Sequence, residues 1–249
     1  MTISNICTKR IDELIHFIEL MKINHPLIKQ LLKKKNINHF NIINEALTHT
    51  SAHKVQNHEK LEFLGDAVLR LAASEFIERN YSHMKVGDRS SLRSNLVSDD
   101  WLTKVGSKIK IEKVIIAGPK TISNKNALKT IQAETTEALI GAFYKCFLSI
   151  EFIEYWLKSF WEREAEQTLS DPFMNNSKSA LQEWCQKTHN DIPIYRIKQI
   201  SDKHGDPHKF LCEVYIDDKK IAEGEGGSHK KAEKEAALKA INLLIDNNN

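Results

Sequence analysis

A twelve-residue segment, HEKLEFLGDAVL at residues 58–69, constrains this chain more than any other feature. Three of its carboxylates, those of Glu59, Glu62 and Asp66, are spaced i, i+3 and i+7. At about 100° per residue, a helix places them within roughly 60° of arc on one face. Carboxylates crowded in this way repel one another, and raised pKa values or a bound cation relieve the repulsion. The segment therefore predicts a helix with an acidic ridge.

The opposite face of this helix is apolar and predicts contact with a core. Four residues lie on it: Leu61, Leu64, Val68 and Leu71. Phe63 falls on the acidic side instead, which indicates either a subunit interface or a pocket within the chain. Gly65 stands in mid-helix, where glycine costs about 1 kcal/mol relative to alanine. The close approach of another helix would offset that cost.

A second acidic pair occurs much later, in QAETTEALIGAFY. Glu134 and Glu137 are spaced i, i+3, and Gly141 follows on the same segment. Such a pair is common on solvated helix faces and alone is weak evidence of a metal site. Glycines beside the carboxylates on both segments, however, predict two helices packed closely at their acidic ridges. The resulting cage of oxygen atoms suits hard divalent cations such as Mg²⁺ or Mn²⁺.

Composition excludes several classes of protein. The chain has 249 residues, of which 41% are hydrophobic, enough for two small domains or one large one. Its four cysteines are scattered and form no CxxC pair, which disfavours zinc and thioredoxin-like chemistry and predicts reduced thiols. No apolar run approaches the roughly 18 residues of a membrane span, and the N-terminus does not resemble a signal peptide. We therefore expect a cytoplasmic protein with no membrane partner and no small-molecule cofactor.

Net charge excludes little. At +3 the chain is only mildly basic, and nucleic-acid binding can rest on local patches.

Helical periodicity dominates residues 9–168. Residues 9–22 predict an amphipathic helix that packs on the core or faces a partner. The polar stretch 117–128 predicts a surface loop, and Asp88 is a candidate N-cap. The helical periodicity ends at residues 169–178, LSDPFMNNSK, whose proline, asparagine and serine residues predict a linker.

The remainder predicts a small α+β module. A helix in KSALQEWCQKTH precedes strand-like alternation in IYRIKQISD, KFLCEVYID and KKIAEGEG, and SHKKAEKEAALKAINLLI predicts a final helix. This α-β-β-β-α order implies a sheet with its helices on one face. The Asn-rich end is expected to fray. We expect a helical domain over residues 10–150, a terminal helix and linker over 151–175, and the α+β module over 176–246.

Residues 57–69, NHEKLEFLGDAVL, closely resemble the signature of bacterial ribonuclease III. Three further segments fit the same family in the expected order: ALTHTSA (46–52), GDRSSLRSNLVS (87–98) and AETTEALIGAFY (133–144). The resemblance covers residues 25–245. It implies a mainly α N-terminal endonuclease domain, a helical bundle, followed by a small α+β double-stranded RNA-binding domain. It also implies a homodimer in which each subunit cuts one strand of an RNA duplex.

By this resemblance Glu62, Asp66 and Glu137 match metal-site positions, and Glu59 matches an acidic position near the cleavage site. Asp66, Glu137 and Glu59 are thus the expected catalytic carboxylates. The family usually has Asp where this chain has Glu134, which moves this fourth metal-ligating carboxylate outward by about 1.5 Å. Because Mg²⁺ demands near-ideal octahedral geometry, Glu134 is expected to alter metal preference or to bind through water.

The implied reaction is metal-dependent hydrolysis of double-stranded RNA to 5′-phosphate and 3′-hydroxyl ends. Mg²⁺ is the expected cofactor, and Mn²⁺ can substitute for it. Maturation of ribosomal and messenger RNA precursors is the implied role.

Residues 176–246 carry equal numbers of basic and acidic side chains, so composition does not identify a nucleic-acid binder. His229, Lys230 and Lys231 cluster at the start of the last helix, where the dipole disfavours cations. Phosphate binding and a solvated basic turn both account for them. The pattern resembles a double-stranded RNA-binding domain in SALQEW, GDPHKF and GEGGSHKKAEKEAA. By that likeness Gln182 and Glu183 face one minor groove, His208 enters the next, and His229, Lys230, Lys231 and Lys234 contact the phosphates between them.

Several alternatives stay open. For His49 we favour a structural hydrogen bond over proton transfer, and Arg93 fits either a phosphate contact or a subunit interface. The rival to a nuclease is a duplex-binding protein in which Glu134 has disabled the metal site. A DNA nuclease is disfavoured, because the C-terminal module should prefer A-form geometry.

Overall fold

The computed structural model describes residues 6–122, 125–170, 172–188, 191–203 and 205–246. The chain divides into two compact units, residues 1–166 and 167–249. Each unit has its own apolar core. Within the described residues, no helix combines the length and the apolar character needed to cross a membrane.

The first unit is built from α-helices. They are α1 (Thr8–Leu20), α2 (Pro26–Lys34), α3 (Ile37–Ala46), α4 (Glu59–Asn80), α5 (Val86–Leu96), α6 (Asp99–Ile109), α7 (Pro119–Ile122), α8 (Lys125–Phe147) and α9 (Ile150–Ser170), with a 3₁₀ turn at Ile111–Lys113. The longest connection in this unit, residues 47–58, lies between α3 and α4. Side chains cap several of the helix starts. His25, Asn36 and Ser98 each accept a hydrogen bond from a backbone N–H two or three residues further on.

The core of this unit surrounds α8, which packs extensively on α4. Trp161 is fully buried there, and its indole N–H donates to the carbonyl of Leu96 at 3.1 Å. Thr135 and Thr136 are also fully buried. Their hydroxyls donate to carbonyls four residues earlier in α8, both at 2.6 Å, so neither buried oxygen lacks a partner.

Two glycines set the approach of α4 and α8. A Cβ atom at Gly65 would lie 2.0 Å from the carbonyl oxygen of Glu137, and one at Gly141 would lie 2.1 Å from the carbonyl oxygen of Leu61. Both distances are far inside van der Waals contact, so the helices touch backbone to backbone at these points. The prediction of two closely packed acidic helices is confirmed.

The second unit has the predicted α-β-β-β-α order. Its elements are α10 (Pro172–Thr188), β1 (Ile194–Gln199), β2 (Phe210–Ile216), β3 (Lys219–Gly226) and α11 (His229–Asp246). The strands form one antiparallel sheet in the order β1-β2-β3, with Ile197 opposite Cys212 and Cys212 opposite Gly224. Cys212 and Val214 are fully buried in the apolar core, together with Leu181 from α10. The predicted fold class is confirmed.

Two predictions about α4 and α5 are wrong. Leu71, assigned to the core face of α4, is 50% exposed. Helix α5 begins at Val86 with Lys85 as its N-cap, so Asp88 lies in the first helical turn instead of at the cap. A carboxylate in the first turn is still favoured by the helix dipole.

The predicted surface loop and the predicted linker are both largely helical. Residues 117–128 contain α7 and the first turn of α8. Within residues 169–178, α9 continues to Ser170 and α10 begins at Pro172. Proline is compatible with this position, since the first turn of a helix tolerates it. The Asn-rich end, expected to fray, lies outside the described residues.

Candidate active site

Carboxylates from α4 and α8 line one open cavity of about 570 Å³. Those of α4 are Glu59, Glu62 and Asp66, and those of α8 are Glu134 and Glu137. The glycine contacts between the helices lie within about one turn of these side chains, so the two ridges face each other. The structure therefore brings together all the acidic residues that the sequence singled out.

Glu137 is a strongly perturbed carboxylate. Burial, with added repulsion from Asp66, Glu62 and Asp99, raises its pKa to about 8. Asp99 belongs to α6 and lines an adjoining cavity of about 590 Å³ together with Glu137. The spacing of acidic residues along α4 and α8 could not predict the effect of Asp99, because Asp99 lies on a third helix. The crowded carboxylates therefore raise a pKa, as the spacing in the sequence predicted.

Asp66 is paired with a residue that the sequence reasoning missed. Its Oδ1 atom accepts a hydrogen bond from Nε of Arg70 at 2.7 Å. The two residues are spaced i, i+4 with opposite charges, and this spacing could have revealed the pair. Both side chains are about half exposed, so the pair contributes little to stability.

His58 is buried between the two acidic helices, at the N-cap position of α4. Its Nε2 atom lies 3.2 Å from Oε2 of Glu62 and 3.4 Å from Oε2 of Glu134. Burial lowers the pKa of His58, but hydrogen bonds to Glu134 and Glu62 outweigh burial and raise the pKa to about 9. The sequence motif predicted no role for His58. Its i, i+4 spacing to Glu62 was the signal that could have found it.

His49 stacks on His58, with ring centroids 5.2 Å apart and planes 16° from parallel. The backbone N–H of Ser51 donates to Nδ1 of His49 at 3.0 Å, and the Ser51 hydroxyl lies 2.7 Å from the same atom. The structural hydrogen bond favoured for His49 is therefore present. Burial, with repulsion from His58, lowers the pKa of His49.

Among the residues that the structure describes, one group of potential metal-ligating side chains has all its ligand atoms within 4.8 Å of one another. It consists of His49, His58 and Glu134. Glu134 thus lies within reach of two imidazoles, and its Oε2 atom is 3.7 Å from Nε2 of His49.

The sequence left the environments of two residues, Phe63 and Arg93, undecided between alternatives, and the structure shows what surrounds each of them. Phe63 is 85% exposed beside the cavity, so the alternative of a pocket within the chain is wrong. Arg93 donates from Nη1 to the hydroxyl of Ser74 at 2.9 Å and so links α5 to α4.

The residues predicted to contact RNA lie mostly at the surface of the second unit. Those that are exposed are Gln182, Glu183, His208, His229, Lys230 and Lys231. Lys234 is half-buried, and burial together with repulsion from Lys230 lowers its pKa. The exposed placement leaves these groups accessible to a ligand.

The loop that carries His208 lies beside the start of α11. A Cβ atom at Gly227 would be 3.2 Å from the carbonyl oxygen of Asp206. The His229 ring packs edge-on against Phe210, with ring centroids 4.3 Å apart. Loop and helix start therefore form one surface.

Family models match both parts of the chain. A ribonuclease-III-like model matches residues 39–146, and a double-stranded RNA binding motif matches residues 177–244. A helical nuclease domain followed by such a module defines a class of proteins, the endoribonucleases that act on double-stranded RNA.

Curated relatives agree with this class. Ribonuclease 3 of Prochlorococcus marinus is 50% identical over 217 residues, which cover 87% of this chain and 87% of the relative. Ribonuclease 3 2 of Synechocystis is 34% identical and covers 83% of this chain and 84% of its own length. Ribonuclease 3 2 of Nostoc is 35% identical and covers 80% and 83%, respectively. This chain belongs to the ribonuclease III family, and the resemblance seen in its sequence is confirmed.

Proposed function

We propose that this endoribonuclease hydrolyses the phosphodiester backbone of duplex RNA with the help of divalent metal ions, leaving 5′-phosphate and 3′-hydroxyl ends. The observation that carries the proposal is the meeting of carboxylates from α4 and α8 in one open cavity. Glu137, whose pKa is raised to about 8 there, gains from a neighbouring cation because the cation stabilises its ionised form. The donor set therefore fits an oxygen-preferring ion, Mg²⁺ first and Mn²⁺ as a substitute.

Four carboxylates would hold the metal: Glu62, Asp66, Glu134 and Glu137. When bound, a divalent ion lowers the pKa of water and stabilises charge on the attacking and leaving oxygens. Asp66 on α4 and Glu137 on α8 would position the ion from the two helices. Glu59 is exposed at the edge of the same cavity.

Glycine contacts keep the carboxylates of the two helices within reach of one another. Because no side chain separates the backbones at Gly65 and Gly141, the distance between the two acidic ridges is fixed by van der Waals contact. The open cavity leaves room for a duplex to reach the carboxylates.

Residues 10–150 form the catalytic domain of this proposal, 151–175 the connecting segment, and 176–246 the RNA-binding domain. In the last, Gln182, Glu183 and His208 read minor grooves by shape and 2′-hydroxyls, and the basic residues of α11 contact phosphates. These basic residues are His229, Lys230, Lys231 and Lys234. Precursors of ribosomal and messenger RNA are the proposed substrates.

The active form of the proposal is a homodimer with one acidic cavity in each protomer. Phe63 supports this assembly, because an aromatic side chain 85% exposed beside the cavity gains free energy when a partner covers it. Sedimentation equilibrium should give twice the chain mass of 28.6 kDa. A monomer at the concentrations that support cleavage would contradict the dimer.

A long RNA hairpin tests the activity directly. With Mg²⁺ we expect short duplex fragments with 5′-phosphate ends, and with EDTA we expect binding without fragments. If the protein bound the hairpin but made no fragments in Mg²⁺ or in Mn²⁺, the rival of an inactive duplex-binding protein would be correct. Duplex DNA of the same sequence is expected to compete poorly, because the groove geometry differs.

Replacing Lys230 and Lys231 together by alanine is expected to weaken binding to all RNA duplexes by a similar factor. Loss of two phosphate contacts should also reduce the slope of log affinity against log salt by about 1.5 to 2. Electrophoretic mobility shifts at several salt concentrations would measure both quantities. Lys187→Ala with Lys239→Ala removes the same charge from the same module and is expected to change the slope less. An unchanged slope in the first variant would rule out phosphate contact.

A further inference from the structure

We propose that the first unit carries a second RNA site, a basic cavity that binds unpaired nucleotides of single-stranded RNA. The cavity has a volume of about 590 Å³. The residues that line it come from α1, α6, α9 and the segments that follow α1 and α6, whereas the carboxylates of the candidate active site come from α4 and α8. The proposal is therefore independent of the metal chemistry, and it gives the end of α1 a role that cleavage does not require.

Three lysines supply this cavity with positive charge: Lys22, Lys108 and Lys110. All three are exposed, and no residue in the described part of the chain forms an ion pair with any of them. Lys104, one turn earlier on α6, differs from them, because its Nζ atom donates to the carboxylate of Glu164 at 2.9 Å. The charge of the three lysines is thus available to an anionic ligand.

The backbone holds two of these lysines in an unfavourable conformation. Lys22 has a φ of 54° and Lys110 a φ of 60°, in the left-handed region that favours glycine. Both residues lie at the end of a helix, where the dipole favours a cation. Glycine at either position would relieve the strain but would remove a positive charge from the cavity.

Apolar and aromatic side chains form the rest of the lining. Ile109 and Trp156 are almost fully buried there, whereas Tyr155 is 50% exposed. The hydroxyl of Tyr155 donates to the carbonyl oxygen of Asn24 at 2.8 Å, and its ring packs against the ring of His25 with centroids 4.9 Å apart. The ring is therefore fixed in place. A solvated lysine at a helix end needs no such surface, so the helix dipoles alone do not account for this cavity.

Positive charge beside a fixed aromatic ring suits a nucleotide. Lysine ammonium groups attract phosphates, and an exposed ring offers a surface on which a base can stack. Basic grooves with aromatic side chains bind single strands with little sequence preference. A duplex keeps its bases paired and stacked inside, whereas an unpaired base can turn into a recess of this kind.

The basic surface continues beyond this cavity. A second cavity of about 290 Å³ shares Lys22, Ile23 and Asn24 with the first, and Lys29 also lines it. Two cavities in succession accommodate a strand better than a free mononucleotide. Loops and unpaired ends accompany natural RNA duplexes, so the substrate class of the family supplies such strands.

Fluorescence anisotropy of a labelled adenosine hexamer tests the proposal on the full-length chain, in EDTA so that no cleavage occurs. We expect the unmodified chain to bind the hexamer. Lys22→Gln with Lys110→Gln should weaken binding and reduce the slope of log affinity against log salt by about 1.4, since each lost phosphate contact on a single strand removes about 0.7. Tyr155→Leu should weaken binding by about tenfold, because the base loses its stacking partner.

Two control pairs locate the site. Lys85→Gln with Lys145→Gln makes the same change at exposed positions of the same unit outside the cavity and should leave the affinity and the slope unchanged. Lys230→Ala with Lys231→Ala should reduce hexamer binding less than the Lys22 and Lys110 pair does, because the cavity lies in the first unit.

Several results would overturn the proposal. They are no binding of the hexamer by the unmodified chain, equal losses in the test pair and in the Lys85 and Lys145 pair, and binding of adenosine monophosphate as tight as that of the hexamer. The last would indicate a site for a free nucleotide. Displacement of the hexamer by an equal concentration of a glutamate hexapeptide would indicate an acidic protein partner instead.

Photochemical cross-linking keeps the test decisive if a variant does not fold. A strand that contains 4-thiouridine should attach to the unmodified chain within residues 20–24 or 155–160, and attachment confined to residues 176–246 would contradict the proposal. Hairpin cleavage in Mg²⁺ is scored separately. Because the hexamer binds without metal, a failure of the proposed nuclease activity is distinguishable from a failure of this site.

Discussion

Glu137→Gln is expected to reduce RNA cleavage by about a thousandfold while leaving duplex binding nearly intact. Glutamine keeps the size of the side chain but removes the charge that would hold a divalent cation against α4. The predicted RNA-binding residues belong to the second unit and are untouched by the change. Single-turnover cleavage of a labelled hairpin, with filter binding in EDTA, measures the two quantities separately.

The unfolding temperature of the same variant tests whether misfolding is the cause of the lost cleavage. The pKa of Glu137 is raised from 4.5 to about 8 in the folded chain. Without metal, its ionisation therefore opposes folding, and stability is lost as pH rises from the lower value through the higher one. Glutamine has no such cost, so Glu137→Gln in EDTA at pH 8 should unfold at the same temperature as the unmodified chain or above it.

A matched control and a contrary result complete this test. Glu19→Gln makes the same chemical change at an exposed position of α1 and should leave cleavage and stability unchanged. Equal losses of cleavage and of binding in Glu137→Gln would contradict a specific catalytic role.

The acidic face of α4 and the glycines could be predicted because they depend on helix geometry alone. A spacing of i, i+3 and i+7 places side chains on one face in any α-helix. A glycine in mid-helix that is paired with a glycine on another acidic helix indicates where two backbones meet. Those inferences needed no knowledge of how the other helices are arranged.

The residues that were missed depend on tertiary structure. Asp99 acts on Glu137 from α6, and Thr48 orients His58 from a segment ahead of α4. No periodicity within one helix reports such neighbours. His58 and Arg70 differ from these two, because each lies four residues from a carboxylate of the motif, and that spacing alone places the two side chains in contact on a helix.

Local chain-breaking signals were misleading for a related reason. Proline and asparagine at residues 169–178 predicted a linker, yet proline also suits the first turn of a helix, and Pro172 begins α10. Composition does not distinguish these two uses. Leu71 is similar: it has the spacing of a core residue, but it lies at the edge of the apolar face and is 50% exposed.

Gly65→Ala is expected to destabilise the helical unit by about 3 kcal/mol. The new Cβ atom would lie 2.0 Å from the carbonyl oxygen of Glu137, an atom of the α8 backbone that cannot rotate away. The two helices must separate, which also moves Glu137 away from Glu62 and Asp66. Urea unfolding followed by tryptophan fluorescence measures the loss, since Trp101, Trp156 and Trp161 all lie in this unit.

Gly87→Ala provides the matched control for this substitution. It makes the same change in the first turn of α5, where a Cβ atom would meet nothing within 4 Å. Alanine is the better helix former, by about 1 kcal/mol in a helix interior and by less in a first turn, so this variant should be slightly more stable than the unmodified chain. The two substitutions are thus expected to have opposite signs, because the same methyl group improves helix propensity in one position and collides with a neighbouring backbone in the other. If Gly65→Ala were also stabilising, α4 and α8 could not be in backbone contact, and the gathering of acidic side chains from the two helices would need another cause.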